Sequence, residues 1–181
     1  MICYQGPIKL VLFDVDGVLT DGSLHFTREG EAIKTFNVRD GLAIGLLRVH
    51  GVRCGVLSGK TSAPLDQRIQ QLQFDLAITG KMDKRDAYEV IKHEEGLDNS
   101  QIAYIGDDVV DFPLIGQVGI FYAPGDAHEL IRVGADHVLK ASGGRGAARE
   151  LAEHLLQSGG LSLAEVYQPL IDSLGDNNVV Q

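Results

Sequence analysis

The chain has 181 residues, 44% of them apolar, and a formal net charge of −9 at pH 7. This length and apolar content suit one globular domain with a sizeable core. The negative charge disfavours nucleic-acid and anionic-membrane partners, and no apolar run approaches the roughly 18 residues that span a bilayer.

Short apolar runs that are rich in β-branched and aromatic residues predict strands, and the helical spacing of apolar residues predicts helices between them. The predicted strands cover residues 8–13, 52–57, 76–78, 102–105 and 118–121. The predicted helices cover residues 41–50, 83–95 and 147–157, with Gly51 and Gly96 as stops for the first two. This alternation predicts an α/β fold with a doubly wound, Rossmann-like parallel sheet.

Residues 23–36 interrupt the alternation, because two β-like runs flank a turn sequence at residues 27–30. This pattern predicts a small β-hairpin flap beside the end of the first strand. Later in the chain, the glycine-rich segment 142–146 is expected to form a flexible loop. We expect a single domain over residues 1–158, followed by a polar C-terminal tail over residues 159–181.

Acidic residues follow two of the predicted strands. Asp14 and Asp16 come directly after the first strand, and Asp107, Asp108 and Asp111 come after a later one. In an open α/β sheet, ligands bind in the crevice beyond the carboxyl ends of the strands, so both clusters are expected to face it. Two carboxylate clusters at one edge suit a hard cation. Taken alone, the first cluster also fits a turn with solvated aspartates, and the second fits a helix cap.

Two further polar signals lie between these clusters. Ser58 and Gly59 follow the strand 52–57, where a small hydroxyl group and backbone N–H groups can bind a phosphoryl oxygen. Lys84 opens the helix 83–95, where a cation can hold the phosphate and offset the crowded carboxylates. For each signal taken singly, an ordinary turn and a solvated lysine are the alternatives. Coincidence is a poor explanation for all four signals in this order.

Together, these signals resemble the haloacid dehalogenase superfamily of aspartate-nucleophile phosphatases, whose signature motifs would run from Asp14 to Asp111 here. The resemblance implies that Asp14 attacks phosphorus to give an aspartyl-phosphate, and that Asp16 protonates the leaving alkoxide and later activates water. Ser58 and Lys84 would complete the catalytic set by offsetting the charge of the phosphate. An aspartate at position 16 favours phosphate monoester hydrolysis, because relatives that cleave carbon–halogen bonds lack this acid.

The same resemblance implies a Mg²⁺ site. The ion would be held by the carboxylates of Asp14 and Asp107 and by the backbone carbonyl of Asp16, with Asp108 and Asp111 as support for the metal shell. A carboxylate cannot closely approach a phosphate dianion unless a cation offsets the repulsion between them, so the chemistry requires positive charge at this place.

Spacing narrows the resemblance to the capless branch of the superfamily, since the segments between residues 21 and 52 and between residues 59 and 84 are too short for a separate cap domain. The stretch 36–41 and the loop 143–150 resemble members that hydrolyse octulosonate or nonulosonate phosphates as tetramers, in which hairpins form an inner barrel. The resemblance therefore implies a small-molecule sugar-acid phosphate as substrate. It also implies a homotetramer in which a neighbouring subunit covers the site.

Three basic residues are implied to bind the substrate. Lys60 follows the Ser58-Gly59 pair, where octulosonate enzymes carry arginine and nonulosonate enzymes tend to carry glutamate, so its charge favours an octulosonate. Lysine nevertheless lacks the planar fork with which arginine binds a carboxylate. Arg68 matches an arginine that reaches a neighbouring subunit's substrate, and a solvated surface position is the alternative. Arg145 is expected to close over a bound sugar acid.

Two functions of other classes stay open at this point: a phospho-signalling receiver domain and a non-catalytic oligomerisation module. A receiver also uses a doubly wound sheet, an acceptor aspartate, Mg²⁺ and a lysine. However, a receiver has its acidic pair on the first strand and its acceptor on a middle strand. The intact catalytic set argues against the oligomerisation module.

The two cysteines indicate a cellular compartment. Cys3 and Cys54 lack metal-ligand spacing and are too few for a disulfide framework. Both are therefore expected to be free thiols, and the protein is expected to be cytoplasmic.

Overall fold

Six parallel strands form the central sheet in the described part of the computed structural model, which covers residues 3–28 and 30–175. The strands are β1 (Leu10–Phe13), β2 (His25–Thr27), β3 (Gly30–Ile33), β4 (Arg53–Leu57), β5 (Leu76–Ile78), β6 (Ile102–Ile105), β7 (Ile120–Ala123) and β8 (His137–Val138). The helices are α1 (Val38–Val49), α2 (Ala63–Leu72), α3 (Lys84–Glu95), α4 (Glu129–Gly134), α5 (Ala147–Ser158) and α6 (Leu163–Gly175). Short 3₁₀ helices cover Asn99–Gln101 and Val109–Leu114.

The strand order is β5-β4-β1-β6-β7-β8, with every neighbouring pair parallel. The chain proceeds outward from β1 through β4 to β5, then crosses back over β1 to build the other half from β6. The winding therefore reverses at β1, which confirms the doubly wound α/β sheet. A crevice for ligands is expected at the carboxyl ends of the strands where the winding reverses.

Both faces of the sheet are covered by helices, because alternate strand residues point to opposite sides. Val11 and Phe13 of β1 belong to one buried cluster, with apolar residues of α1, α2, α5 and α6. Leu10 and Leu12 belong to a second cluster, with residues of α3 and α4. All four residues of β1 are completely buried, so the end of this strand is held rigidly where the crevice opens.

Local capping sets the ends of the helix that carries Lys84. Asp83 precedes α3, and its side chain accepts hydrogen bonds from the backbone N–H groups of Arg85 and Asp86. At the other end, Gly96 takes a left-handed conformation, as a residue at this position commonly does. These caps confirm the helix that the sequence predicted over residues 83–95.

Strands β2 and β3 form a small antiparallel hairpin outside the main sheet, as predicted for residues 23–36. The hairpin exposes large apolar side chains, since Phe26 is 69% and Ile33 is 58% exposed. The backbone continues from β3 through Lys34 into α1, where Asn37 caps the helix by accepting a hydrogen bond from the N–H of Arg39.

The expected polar tail over residues 159–181 is wrong for residues 163–175, which form α6. Val166 and Leu170 on this helix are buried in the core beside α1 and α5. A capping box starts the helix: Ser162 donates its backbone N–H to the Glu165 carboxylate, and the N–H of Glu165 bonds back to the Ser162 hydroxyl. The last part of the expected tail, residues 176–181, lies outside the described residues.

The helices within residues 3–28 and 30–175 include none that is long and apolar enough to cross a membrane.

Candidate active site

A cavity of about 310 Å³ opens at the carboxyl ends of β1, β4 and β6. Most of the predicted site residues line it, namely Asp14, Asp16, Ser58, Lys60, Lys84, Asp107 and Asp108, together with Gly17, Gly22, Gly59, Met82 and Val110. The four signals that are dispersed in the sequence therefore meet at one place. Two groups of charged side chains flank the cavity, and they differ in how they are built.

The first group, which we call the inner corner, consists of Asp14, Lys84, Tyr104, Asp107 and Asp111. The Nζ atom of Lys84 lies 2.9 Å from Asp14 Oδ1 and 2.5 Å from Asp111 Oδ1, and it donates a hydrogen bond to the Tyr104 hydroxyl at 2.9 Å. Lys84 is only 2% exposed. Burial alone would lower the pKa of Lys84, but Asp14 and Asp111 outweigh it and raise the pKa, so the lysine remains a cation.

Asp111 supports the inner corner instead of facing the cavity. Its Oδ1 accepts hydrogen bonds from Lys84 and from the Tyr104 hydroxyl, and its Oδ2 accepts from the backbone N–H groups of Asp107 and Asp108. Both carboxylate oxygens of Asp111 are thereby occupied. Asp108 is exposed, and its side chain caps the following 3₁₀ helix by accepting from the N–H of Val109 at 2.7 Å.

The remaining carboxylates of the inner corner fit a metal ion. Oxygen atoms of Asp14, Asp107 and Asp111 lie within 4.8 Å of one another. Oδ1 of Asp107 is buried and has no hydrogen-bond partner among the described residues. With Asp111 occupied, Asp14 and Asp107 offer the oxygens that a hard divalent cation binds.

The pKa values of the same residues indicate crowded negative charge. Burial, followed by the charges of Asp14, Asp111 and Asp108, raises the pKa of Asp107 to about 8. Burial raises the pKa of Asp14 to about 6, with Asp111 adding to the rise and Lys84 opposing it. Lys84 alone does not offset three neighbouring carboxylates, and a bound cation would complete the charge balance.

Gly17 explains why glycine follows the first acidic pair. Its φ of +84° lies in the left-handed region, which glycine adopts without strain. A Cβ atom at this position would lie 2.0 Å from Asp107 Oδ2, so a larger residue would collide with the carboxylate offered to the metal.

The second group, which we call the outer corner, consists of Asp16, Glu31, Lys34 and Lys60. Lys34 forms an ion pair with Asp16 Oδ1, and its Nζ lies 2.9 Å from Glu31 Oε1. Lys60 approaches the other oxygen of Asp16, with Nζ at 3.9 Å. Burial alone would lower the pKa of Lys34, but hydrogen bonds and charge attraction from Asp16 and Glu31 outweigh it and raise the pKa.

Sequence reasoning missed Lys34 and Tyr104. A signal for Lys34 was present, since this lysine stands among Ala32, Ile33 and Phe36 in the returning arm of the hairpin. Tyr104 is the only polar side chain in the strand Ile102–Ile105. Lys34 pairs with Asp16 after β1, and the Tyr104 hydroxyl group contacts Lys84 and Asp111. These partners come from other elements, which the local sequence pattern does not identify.

Ser58 directly follows β4, the strand that pairs with β1, and lines the cavity. It is 2% exposed, and its backbone N–H donates to the carbonyl of Ile78 at 2.9 Å. Its hydroxyl oxygen accepts from the N–H of Lys60 at 3.2 Å. The turn thus keeps the hydroxyl group at the cavity wall.

Arg68 and Arg145 lie away from the cavity in the single chain. Arg68, on α2, donates to the carbonyl of Asn37 at 3.3 Å, and its guanidinium lies 5.5 Å from the centre of the Phe36 ring. The exposed side chain of Arg145 lies 3.6 Å from Asp21. Each arginine lines a separate surface depression, so its contact with substrate stays a prediction.

Asp40 holds the glycine-rich loop and is a further residue that sequence reasoning missed. Although it belongs to α1, its carboxylate accepts hydrogen bonds from the N–H groups of Gly146 and Ala148 at 3.0 Å each. Burial raises the pKa of Asp40, and these backbone hydrogen bonds oppose the rise. The first turn of α5 is thus capped from a different helix, which anchors the segment that carries Arg145.

Comparisons with known proteins identify the family. The profile of the haloacid dehalogenase-like hydrolases matches residues 66–151. The 3-deoxy-D-manno-octulosonate 8-phosphate phosphatase of Haemophilus influenzae is 45% identical over 155 residues, which are 86% of this chain and 86% of that protein.

Solved structures of such enzymes have the same fold. The cobalt-bound deoxy-D-mannose-octulosonate 8-phosphate phosphatase of Haemophilus influenzae superposes with a TM-score of 0.86 at 43% identity, over 91% of this chain and 97% of that one. The phosphatase of Moraxella catarrhalis, in complex with magnesium, phosphate and KDO, gives a TM-score of 0.82 at 31% identity, over 95% and 94%. The resemblance noted from the motifs is confirmed: the chain belongs to the 3-deoxy-D-manno-octulosonate 8-phosphate phosphatase family of haloacid dehalogenase-like hydrolases.

Proposed function

We propose that this protein is a Mg²⁺-dependent phosphatase that hydrolyses 3-deoxy-D-manno-octulosonate 8-phosphate to 3-deoxy-D-manno-octulosonate and phosphate, a step of lipopolysaccharide biosynthesis. One observation carries the proposal: Asp14, paired with buried Lys84, lies in the same cavity as Asp16 and the unpartnered oxygen of Asp107. This arrangement supplies a nucleophile, an acid or base and a cation site together. The named activity of the Haemophilus influenzae relative, at 45% identity, supports the substrate.

In the first half of the reaction, a carboxylate oxygen of Asp14 attacks phosphorus, and the bond from phosphorus to the sugar oxygen breaks. Asp16, in its protonated form, gives its proton to that oxygen, so the sugar acid leaves as a neutral alcohol at this position. The product on the enzyme is an aspartyl-phosphate at Asp14. Buried Lys84 orients the Asp14 carboxylate and offsets negative charge as the phosphate approaches.

In the second half, the Asp16 carboxylate takes a proton from water while the water oxygen attacks phosphorus. The bond to Asp14 breaks, inorganic phosphate forms, and Asp16 is again protonated. The hydroxyl group of Ser58 and the backbone N–H groups after it bind phosphoryl oxygens through both halves. Mg²⁺, held by Asp14, Asp107 and the backbone carbonyl of Asp16, would supply the positive charge that lets a carboxylate meet a phosphate dianion.

Lys60 is the proposed contact for the sugar-acid carboxylate within one subunit, because it stands at the cavity wall and half of its side chain is exposed. Arg68 and Arg145 would act on the substrate from the surface around the cavity. For Arg68 the resemblance implies contact with the substrate of a second copy of the chain, and the depression that it lines with Lys34 and Phe36 is separate from the cavity.

We propose a homotetramer, in which a neighbouring subunit covers the site. Support comes from the hairpin, whose exposed Phe26 and Ile33 form an apolar surface of the kind that subunit contacts cover. We also propose a cytoplasmic location, because Cys3 and Cys54 are both free thiols, as is usual in a reducing compartment.

The experiment that tests the function compares phosphate release from octulosonate 8-phosphate and nonulosonate 9-phosphate with Mg²⁺, and again with a chelator present. We expect a higher kcat/KM for octulosonate 8-phosphate, and loss of activity when the metal is removed. A preference for the nonulosonate would reassign the substrate and keep the chemistry. Release from neither ester would reject both sugar-acid phosphates as substrates.

A further inference from the structure

Lys34 is a buried cation that the reaction scheme leaves without a role. Its side chain is 1% exposed, although it follows the exposed strand β3 on a small hairpin. Burying an ammonium group is unfavourable unless it is paired with acceptors of opposite charge. Lys34 donates a hydrogen bond to Asp16 at the end of β1 and forms an ion pair with Glu31 of its own hairpin.

The pairing joins the hairpin to the cavity through Asp16. Asp16 lies in the turn that follows β1, beyond the buried strand, and Lys34 contacts one of its carboxylate oxygens. Lys60 is too loosely placed to do the same, since its Nζ is 3.9 Å from the other oxygen and its side chain is half exposed. Among the described contacts of the Asp16 side chain, the hydrogen bond is the one from Lys34.

Lys34 is not among the residues that line the cavity, where its contact is Asp16, so we expect its effect on catalysis in its own subunit to pass through Asp16. An acid that protonates a leaving oxygen has to be within hydrogen-bond reach of it, and small losses of orientation reduce the rate strongly. A side chain in a turn loses that orientation easily, because other rotamers are accessible to it.

We propose that Lys34 is a positioning residue for Asp16, holding its carboxylate at the cavity from the hairpin side while Glu31 fixes the lysine. The inference rests on the proposed phosphatase function. The hairpin is then part of the catalytic apparatus of its own subunit, in addition to any contact that it makes with another copy.

The first test replaces Lys34 with methionine, which keeps the length of the side chain and removes the charge. We expect kcat to fall roughly 10- to 100-fold, a share of the 10²–10⁴ that positioned proton transfer contributes, while KM stays nearly constant. Lys34→Arg, which keeps the cation, should restore most of kcat. The matched control is Lys92→Met, because Lys92 also pairs with a glutamate three residues earlier but lies on α3 away from the cavity. Equal kcat in Lys34→Met and the control would overturn the proposal.

The second test asks whether Lys34 acts through Asp16. Single-turnover release of p-nitrophenolate from p-nitrophenyl phosphate reports phosphoryl transfer alone, and its good leaving group keeps a rate measurable without the acid. In an Asp16→Asn background, adding Lys34→Met should change this rate by less than about twofold, because the two residues act as a unit. A loss in the Asp16→Asn background as large as the kcat loss that Lys34→Met causes alone would assign the effect to folding or assembly and reject the positioning role.

A third measurement needs no substrate. The Tm values of the wild type, Lys34→Met, Asp16→Asn and the double variant give the coupling between the two residues. We expect the effects of the two substitutions on Tm to be clearly non-additive. Additive shifts would contradict the pairing. If the wild type hydrolyses p-nitrophenyl phosphate but no sugar-acid phosphate, the proposed substrate is wrong. The tests with p-nitrophenyl phosphate then still decide whether Lys34 positions Asp16.

Discussion

The inner and outer corners both pair lysine with aspartate, yet they are built in opposite ways. Lys84 is enclosed by the sheet and α3, and its partners Asp14 and Asp111 come from the ends of β1 and from the 3₁₀ helix after β6. Lys34 instead comes from a hairpin that belongs to no other sheet, and it reaches Asp16 across the cavity edge.

The two corners differ in structural support and in charge, and this difference indicates different roles. The inner corner is anchored in rigid core elements and carries an excess of negative charge, which suits a nucleophile and a metal. In the outer corner, Lys34 and Lys60 both approach Asp16, and Lys34 is held there by the small, partly exposed hairpin. We therefore expect substitutions in the inner corner to affect stability and activity together, and substitution of half-exposed Lys60 in the outer corner to affect mainly activity.

The largest effect is expected for Lys84→Met. The substitution leaves Asp14 and Asp111 as buried, uncompensated carboxylates, so the free energy of unfolding should fall by about 3–5 kcal/mol and phosphate release should be lost. Denaturant unfolding and a phosphate assay measure the two effects. Lys92→Met, on the same helix but at its exposed side, is the control and should change both by little. Unchanged stability in Lys84→Met would contradict the described inner corner.

The next largest effect is expected from the metal. If Mg²⁺ binds the inner corner and not the unfolded chain, a concentration of about 100 times its Kd should stabilise the protein by about 2.7 kcal/mol. Asp107→Asn should remove most of this shift, since it removes the unpartnered carboxylate. Asp86→Asn changes an exposed aspartate of α3 and should retain the shift. Thermal melting with and without Mg²⁺ measures the stabilisation. Equal stabilisation of Asp107→Asn and Asp86→Asn would exclude Asp107 as a ligand.

A smaller effect is expected for Tyr104→Phe, which keeps the ring and removes the hydroxyl group between Lys84 and Asp111. Loss of these hydrogen bonds should lower the free energy of unfolding by about 1–2 kcal/mol. Activity should fall less than in Lys84→Met, because the ion pair of Lys84 with Asp14 remains. Tyr88→Phe is a matched control for loss of a tyrosine hydroxyl group outside the site, since Tyr88 bonds to Asn99. A kcat loss that is equal in both variants would count against a local role for Tyr104.

The smallest effect on stability is expected for Lys60→Met in the outer corner. The lysine is half exposed and 3.9 Å from Asp16, so the free energy of unfolding should change by less than about 1 kcal/mol. The KM for octulosonate 8-phosphate should nevertheless rise, while the KM for p-nitrophenyl phosphate, which lacks a sugar-acid carboxylate, should stay the same. An equal rise for both esters would show that Lys60 acts on the phosphate instead.

The sequence predicted the four charged residues of the inner corner, but not Tyr104, because these four residues follow strands of the predicted sheet. A buried apolar run is easy to recognise, and a parallel sheet brings the carboxyl ends of such runs to one edge whatever the details of the loops. Asp14, Ser58, Lys84 and Asp107 were therefore predicted as one cluster, and they do line one cavity.

The remaining features depend on contacts between distant segments, which a local pattern does not contain. The role of Lys34 depends on its contact with Asp16, 18 residues earlier. The role of Asp40 depends on its contact with the loop at Gly146, 106 residues later. Helix α6 is a different case. The Ser162–Glu165 capping box is visible in the sequence, although the expected tail did not take it into account, and Pro169 lies inside the helix that follows.

The most direct test of the central claim is to look for phosphate on Asp14. Asp16→Asn protein, which should lack the base that hydrolyses the intermediate, is mixed with Mg²⁺ and p-nitrophenyl phosphate, whose good leaving group departs without an acid, then quenched in acid and digested for mass spectrometry. We expect one phosphoryl group on the peptide that contains Asp14, and none when Asp14→Asn is added. A phosphoryl group on another residue, or wild-type phosphate release by Asp14→Asn alone, would contradict it.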